Sequence, residues 1–115
     1  MKAKIQFTKG LDEPVLPNIL LTRSQDGSTG TATFFFLKPN ILNKNTIKQG
    51  EILGMYLIDK EGAIETRSLK LYFQDGKPES IECIYIIKNV NVWNRFLRFM
   101  KRYEKTNELV FTKAI

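Results

Sequence analysis

The side chains with the clearest chemistry lie near the C-terminal end, where basic and aromatic residues alternate from residue 93 to 105. At about 100° per residue, the apolar members share one side of a helix: Trp93, Phe96, Leu97, Met100 and Tyr103. The basic members share the other side: Arg95, Arg98, Lys101, Arg102 and Lys105. Because guanidinium and ammonium groups bind carboxylates and phosphates, this spacing predicts a helix that packs on a core and offers cations to an acidic partner.

Positive charge is concentrated on this helix. The segment from Lys88 to Lys105 holds six basic residues and one acid, whereas the chain has 18 basic and 12 acidic residues and a net charge of +6. Twelve basic and eleven acidic residues remain elsewhere, so the rest of the chain is nearly neutral. Such a field usually faces something acidic. A solvated face of a soluble protein is the alternative, with equal weight.

The residue types that catalysis and metal binding need are scarce. The chain has no histidine and one cysteine, Cys83. The usual general base of serine and cysteine hydrolases is therefore missing, and a zinc or redox-metal site is not expected. Cys83 lies in an apolar strand pattern, which predicts a buried thiol. Asp59 and Glu61 are interpreted as turn residues, and no pair of acids suggests a general acid and base. We predict no enzyme, no cofactor and no metal.

The elements that position these residues are mostly strands. At 115 residues the chain fits one domain, residues 1–115. No apolar run is long enough for a membrane span, and the N-terminus predicts a strand instead of a signal peptide. Strand patterns cover 4–8, 19–23, 31–37, 52–58, 64–73, 80–87 and 109–112. Hairpin turns are predicted at 59–62 and at Asp75-Gly76, where positive φ is required.

The predicted helix follows the strands and extends from the capping residue Asn89 to Asn107. The fold class is therefore α+β: an antiparallel sheet, or two packed sheets, with one main C-terminal amphipathic helix and a short final strand. Neighbouring strand residues point to opposite faces, so if Phe34 and Phe36 fill the core, Phe35 needs a second cover. Cover within the domain is favoured over a partner. The segment from Thr29 to Thr33 is a candidate exposed sheet edge, where a partner's tail could add a strand.

Three blocks of this chain, taken together, resemble one protein family. The first block is Gln6-Phe7, Gly10, Glu13-Pro14-Val15 and Pro17. The second is Leu21-Thr22-Arg23-Ser24 and Gly30-Thr31-Ala32-Thr33-Phe34. The third is Gly54-Met55-Tyr56-Leu57, Asp59, Glu61-Gly62, Trp93, Arg95-Phe96, Arg98-Phe99-Met100 and Arg102-Tyr103. In this order and combination they resemble the Psb28 family of photosystem II assembly factors. Many members carry acidic residues before the tryptophan, where this chain has Asn91-Val92.

The resemblance implies a non-enzymatic protein without cofactors that binds photosystem II assembly intermediates transiently. It implies a peripheral position on the cytoplasmic or stromal side of the thylakoid membrane of a plastid or cyanobacterium. The implied partners are the core antenna and reaction-centre subunits, with contact to the membrane surface and with a monomeric free form. The implied role is protection of the immature complex and help in assembling chlorophyll-binding subunits.

Ten residues are the candidate partner-binding set: Arg23, Ser24, Thr31, Thr33, Phe35, Arg95, Arg98, Lys101, Arg102 and Lys105. The competing hypothesis is a small basic module that binds single-stranded nucleic acid. It would place the arginines on phosphates and stack bases on Phe34–Phe36 or Tyr72. Against it, the aromatic residues next to the arginines lie on the core-facing side of the helix. Nucleic acid is therefore not the expected partner.

Overall fold

The computed structural model describes residues 1–43 and 52–107, and the backbone of 112–113. The strands are β1 Lys4–Thr8, β2 Leu11–Asp12, β3 Asn18–Arg23, β4 Gly30–Leu37, β5 Met55–Asp59, β6 Gly62–Thr66, β7 Leu69–Gln74, β8 Lys77–Ile87 and β9 Thr112–Lys113. One helix, α1, spans Val90–Asn107, and a 3-10 turn spans Asn40–Leu42. The α+β class and the C-terminal helix are confirmed.

The strands form two sheets. One has four strands in the order β2-β1-β5-β6, and all of its pairings are antiparallel. The other has five strands in the order β7-β8-β4-β3-β9, antiparallel except between β3 and β9. The final strand, β9, covers 112–113 and pairs parallel with β3. It overlaps the predicted strand at residue 112 and ends one residue beyond it. Residues 109–111 of that prediction lie outside the described residues.

The predicted strand over 64–73 is two strands on different sheets. β6 ends at Thr66 and pairs with β5, whereas β7 begins at Leu69 and pairs with β8. The break is stabilised by the Thr66 hydroxyl, which donates to the Ile84 carbonyl oxygen at 2.6 Å. A continuous β pattern could not reveal this switch, because both halves keep the same period of two.

The hairpin turn and the helix cap that were predicted from local sequence are both present. Asp75 and Gly76 have φ of 52° and 77°, as a two-residue hairpin turn requires. At the helix start, Asn89 Oδ1 accepts the Val92 N–H at 2.9 Å, which satisfies one of the orphan donors. Both predictions are confirmed.

The core lies between the two sheets and under the helix. Phe7 of β1 and Phe36 of β4 meet edge to face, with ring centroids 4.9 Å apart. Phe34, two residues before Phe36 on β4, has its ring centroid 6.2 Å from that of Phe96 on α1. Since Phe34 and Phe36 point to the same face, the four-stranded sheet and the helix cover one face of the five-stranded sheet side by side.

The apolar side of the helix is buried as predicted. Trp93, Phe96 and Met100 are buried, and so is Tyr103. Phe99, outside the predicted apolar stripe, is also fully buried and stacks on Tyr103, with ring centroids 5.6 Å apart. The helix therefore contacts the core over a wider arc than the wheel indicated.

Candidate functional site

Three arginines of α1 meet two acids of the β5–β6 hairpin. Arg95 donates to both oxygens of Asp59, with N–O distances of 2.7 and 2.9 Å, and Arg102 Nη1 lies 2.9 Å from Asp59 Oδ2. Arg98 makes a two-bond pair with Glu61, each bond 2.8 Å long, and Arg102 also contacts Glu61. The three arginines stand three or four residues apart, so they share one helix face above the hairpin.

The arginines set the charge state of both acids. Burial raises the pKa of Asp59, whose side chain has no exposed surface, but hydrogen bonds from Arg95 and Arg102 outweigh it and hold this pKa below its ordinary value. The hydrogen bonds from Arg98 and Arg102 lower the pKa of Glu61 to about 2. Both carboxylates are therefore charged at neutral pH and compensate much of the arginine charge.

The prediction of an almost purely cationic helix face was wrong for these three arginines. Arg95, Arg98 and Arg102 hold the hairpin to the helix instead of standing free for a partner. Counting charge within one segment missed the acids, which lie more than 30 residues earlier in the chain. Lys101 and Lys105 are exposed, and neither makes an ion pair within the part of the chain that the structure describes.

The predicted sheet edge was also wrong. Thr31 and Thr33 belong to β4, which has β3 on one side and β8 on the other. The whole of β4 pairs with β8, from Gly30 opposite Ile87 to Leu37 opposite Ser80. The Thr31 hydroxyl is also occupied, because it shares a 2.6 Å hydrogen bond with the Thr22 hydroxyl. Neither threonine can accept an added strand.

An open edge lies instead at the end of β8. The Ile84 N–H donates to the Ser68 carbonyl oxygen at 3.0 Å, so this residue's backbone groups face β7. By the alternation of a strand, the N–H and carbonyl of Ile86 face the same way. The pairing with β7 stops at Leu69 opposite Cys83, so among the described residues no strand pairs with Ile86 on that side. A groove of about 480 Å³ adjoins this edge, lined in part by Arg67, Lys88 and Val92.

The outer face of the five-stranded sheet exposes several large apolar side chains. Leu20, Leu37 and Ile86 on this face are 50%, 55% and 59% exposed. Phe35 is half-buried here and packs on Tyr72 of β7, with ring centroids 6.3 Å apart. Part of the cover that Phe35 needs therefore comes from a side chain two strands away in the same sheet, within the domain as favoured from the sequence.

Arg23 and Ser24 lie where β3 enters the loop to β4. The Arg23 guanidinium stacks on Trp93, 4.5 Å from the ring centroid, and its Nε donates to the Gly27 carbonyl at 2.8 Å. The Ser24 hydroxyl donates to Asp26 at 2.8 Å and accepts the Thr29 N–H at 3.1 Å. Ser24 thus shapes the loop, whereas Arg23 is held in place at the surface.

Two aromatic residues of the nucleic-acid hypothesis are inaccessible. Phe34 and Phe36 have no exposed surface, so they cannot stack on bases. Cys83 is buried as predicted, and burial raises the pKa of its thiol to about 12, which keeps it protonated. In residues 1–43 and 52–107, no group of acids or cysteines is arranged to hold a metal ion. No helix in the described segments is long and apolar enough to cross a membrane.

The fold and these surfaces define a small α+β protein of two packed sheets and one helix, with candidate protein-binding surfaces on the five-stranded sheet. The family model described as Psb28 protein matches residues 5–111. The chain belongs to the Psb28 family.

Several relatives are similar over nearly their whole length. The chain is 66% identical to the protein named Photosystem II reaction center Psb28 protein of Trieres chinensis, covering 99% of each chain. Identity to the protein of the same name from Phaeodactylum tricornutum is also 66%, again over 99% of each chain. The protein of that name from Trichormus variabilis is 53% identical over 97% of this chain and 99% of its own.

Proposed function

We propose that this chain is a non-enzymatic photosystem II assembly factor. It binds assembly intermediates transiently, close to the core antenna and reaction-centre subunits, from the cytoplasmic or stromal side of the thylakoid membrane. It protects the immature complex and helps chlorophyll-binding subunits to assemble. The observation that carries this proposal is the nearly full-length similarity to relatives that are named for the photosystem II reaction centre.

The open edge of β8 supports a binding mode by strand addition. An extended loop or tail of a subunit placed beside Ile86 would pair with its free N–H and carbonyl groups. Main-chain hydrogen bonds then give affinity, and side chains of the added strand reach either face of the sheet. Lys88 in the adjoining groove would favour an acidic residue in the added segment, since Arg67 there is already paired with Glu65.

The outer sheet face supports the same mode. A strand added at Ile86 extends the face that carries Leu20, Leu37 and the Phe35–Tyr72 pair. Exposed apolar surface of this kind is typical of a surface that another protein covers. The partner's backbone would pair with the open edge, and its apolar side chains would pack on the outer sheet face.

Affinity purification tests the proposed function. A tagged chain, expressed in a photosynthetic cell that lacks its own family member, is expected to retain photosystem II subunits, identified by mass spectrometry. Retention of RNA without these subunits would contradict the proposal and support the nucleic-acid hypothesis. An RNA complex would also lose affinity steeply with salt.

A matched pair of variants tests the binding mode. Ile86→Pro removes the free N–H from the open edge and places a ring where the added strand would pair. Ile86→Val keeps the backbone donor and most of the side chain. We expect Ile86→Pro to reduce capture of the subunits by about tenfold or more, the effect of roughly 1.4 kcal/mol, while Ile86→Val stays near wild type. Equal capture by both variants would exclude strand addition at this edge.

A further inference from the structure

Arg23 is held in one orientation by two contacts that do not neutralise it. Its Nε donates to the Gly27 carbonyl oxygen at 2.8 Å, and its guanidinium lies over Trp93 at 4.5 Å from the ring centroid. The first contact fixes the rotation of the planar group, and the second fixes its plane. The residue is nevertheless exposed, and neither terminal nitrogen makes a hydrogen bond within residues 1–43 and 52–107.

Gly30 makes this arrangement possible. It lies opposite Arg23 on β4, and a Cβ at this position would be 2.5 Å from Trp93 Cζ2 and 2.2 Å from the Thr22 carbonyl oxygen. The absence of a side chain lets the indole pack against the strand ends, directly beneath Arg23. The position of the arginine therefore depends on a glycine and a tryptophan that belong to different elements.

No carboxylate in the described part of the chain neutralises Arg23. Arg67, Arg95, Arg98 and Arg102 all pair with carboxylates, whereas Arg23 makes no ion pair within residues 1–43 and 52–107. The nearby carboxylate of Asp26 is occupied instead by Ser24 and Ser28. A fixed, uncompensated guanidinium is thus presented at the surface.

We propose that Arg23 is a pre-oriented receptor for the carboxylate of an acidic peptide segment in a protein partner. The planar guanidinium binds an aspartate or glutamate side chain through two parallel hydrogen bonds. Because the stack on Trp93 already restricts the arginine, little side-chain freedom is lost on binding. The inference rests on the proposed function, since the partner is a subunit of the assembly intermediate.

A carboxylate suits this position better than a phosphate or a membrane. Phosphate groups on peptides are usually bound by clusters of arginines, but the loop that holds Arg23 adds an acid, Asp26, and no second cation from residue 24 to 29. Membrane attachment by charge likewise needs several basic residues close together. One fork-shaped cation matches the geometry of one carboxylate.

Arg23→Lys tests the receptor, with Lys9→Arg as its matched control. Both substitutions keep the charge of an exposed cation that lies over an aromatic ring, but Lys9 lies over Tyr56 of the four-stranded sheet, 5.3 Å from the ring centroid. Binding of each full-length variant to purified photosystem II assembly intermediates is measured as a dissociation constant. We expect Arg23→Lys to bind at least tenfold more weakly than wild type and Lys9→Arg to bind within twofold of it.

Two outcomes separate this inference from the proposed function. If wild-type protein does not bind the intermediates, the proposed function fails. If it binds and Arg23→Lys binds equally well, the receptor role of Arg23 is wrong. Thermal unfolding of each variant sets a temperature at which all are folded, so that a loss of binding does not reflect unfolding.

Trp93 supplies a second measurement, because it is the single tryptophan of the chain and lies under Arg23. A glutamate-rich peptide should change Trp93 fluorescence in a saturable way, whereas the same peptide with glutamine should not. Equal responses to both peptides, or no response to either, would overturn the proposal. So would stronger competition by inorganic phosphate, or Arg23-dependent binding to vesicles of anionic lipid.

Discussion

Asp59 has a fully buried side chain and accepts hydrogen bonds from two arginines of the helix. A buried carboxylate is tolerated when paired, and removing it leaves both arginines, which are 21% and 29% exposed, without their main partner. We expect Asp59→Asn to lower the free energy of unfolding by roughly 2–4 kcal/mol, less than for a fully buried pair because water reaches the arginines. Urea denaturation measures this loss.

Glu65→Gln is the control for Asp59→Asn. Glu65 is an acid of the same hairpin, but its side chain is 40% exposed and it pairs only with Arg67 in the described structure. Its substitution should change stability by no more than about 0.5 kcal/mol. A loss for Asp59→Asn as small as that expected for Glu65→Gln would mean that the cluster does not depend on the buried acid.

The pH dependence of stability follows from Glu61. Its pKa is about 2 in the folded chain and ordinarily 4.5. A depressed pKa means that the ion pairs stabilise the fold fully above about pH 4.5 and lose this effect as the pH falls towards 2. The difference in unfolding free energy between wild type and Glu61→Gln should therefore be constant from pH 7 to 5 and shrink below. A difference that persists at pH 2 would contradict this account.

At the scale of elements, the ion pairs make the helix and the β5–β6 hairpin one unit. The cations of α1 then fall into two groups: Arg95, Arg98 and Arg102 connect elements, whereas Lys101 and Lys105 remain exposed. The two lysines stand four residues apart on one face. They are the part of the predicted cationic face that can act on a partner or membrane.

Replacing both lysines with glutamate tests their electrostatic attraction to a partner separately from their effect on stability. The variant Lys101→Glu with Lys105→Glu should lose no more than about 1 kcal/mol, part of it from the helix dipole at the C-terminal end. Its association with assembly intermediates should be slower and less dependent on salt, because exposed charges act mainly on the association rate. Stopped-flow or surface binding measures both.

Arg98→Glu is the contrasting variant for this prediction. It removes a two-bond pair and places a carboxylate against Glu61, so it should lose more stability than the double lysine reversal. An unchanged association rate of the lysine variant at low salt would show that the free cations of the helix do not guide binding.

At the scale of the whole molecule, stability depends on contact between the two sheets. Phe7 and Phe36 form that contact edge to face, and each is fully buried. We expect Phe7→Leu and Phe36→Leu to lose roughly 1–2 kcal/mol each. The double variant should lose less than the sum by about 0.5–1.5 kcal/mol, the coupling of an aromatic pair. Strict additivity in urea denaturation would show that the rings do not act together.

Features that depend on neighbours in sequence were predictable. The Asp75-Gly76 turn needs positive φ at two adjacent residues, and the Asn89 cap needs a donor three residues ahead. The buried positions of Trp93, Phe96 and Met100 follow from a period of 3.6. Each signal is contained within one or two turns of chain, so no knowledge of the remaining fold was required.

Features that depend on distant residues were not predictable. Asp59 and Arg95 are 36 residues apart, and nothing in either segment indicates the other. The central position of β4 depends on which strands pair with it, and a strand pattern is the same at an edge and in the middle of a sheet. The Arg23 site combines a strand, a loop and the helix, so the sequence named Arg23 as a candidate but not its contacts with Trp93 and Gly27.

The sequence by itself determined the α+β class, the hairpin turn at Asp75-Gly76, the extent of α1 and the residues of its buried side. These depend on backbone preferences and on the periods of 2.0 and 3.6 residues, which are local properties. The tertiary structure alone decided which cations are neutralised, which sheet edge is open and which arginine is fixed but unpaired. Those properties depend on where distant carboxylates, strands and rings lie in space, and chain order does not contain that information.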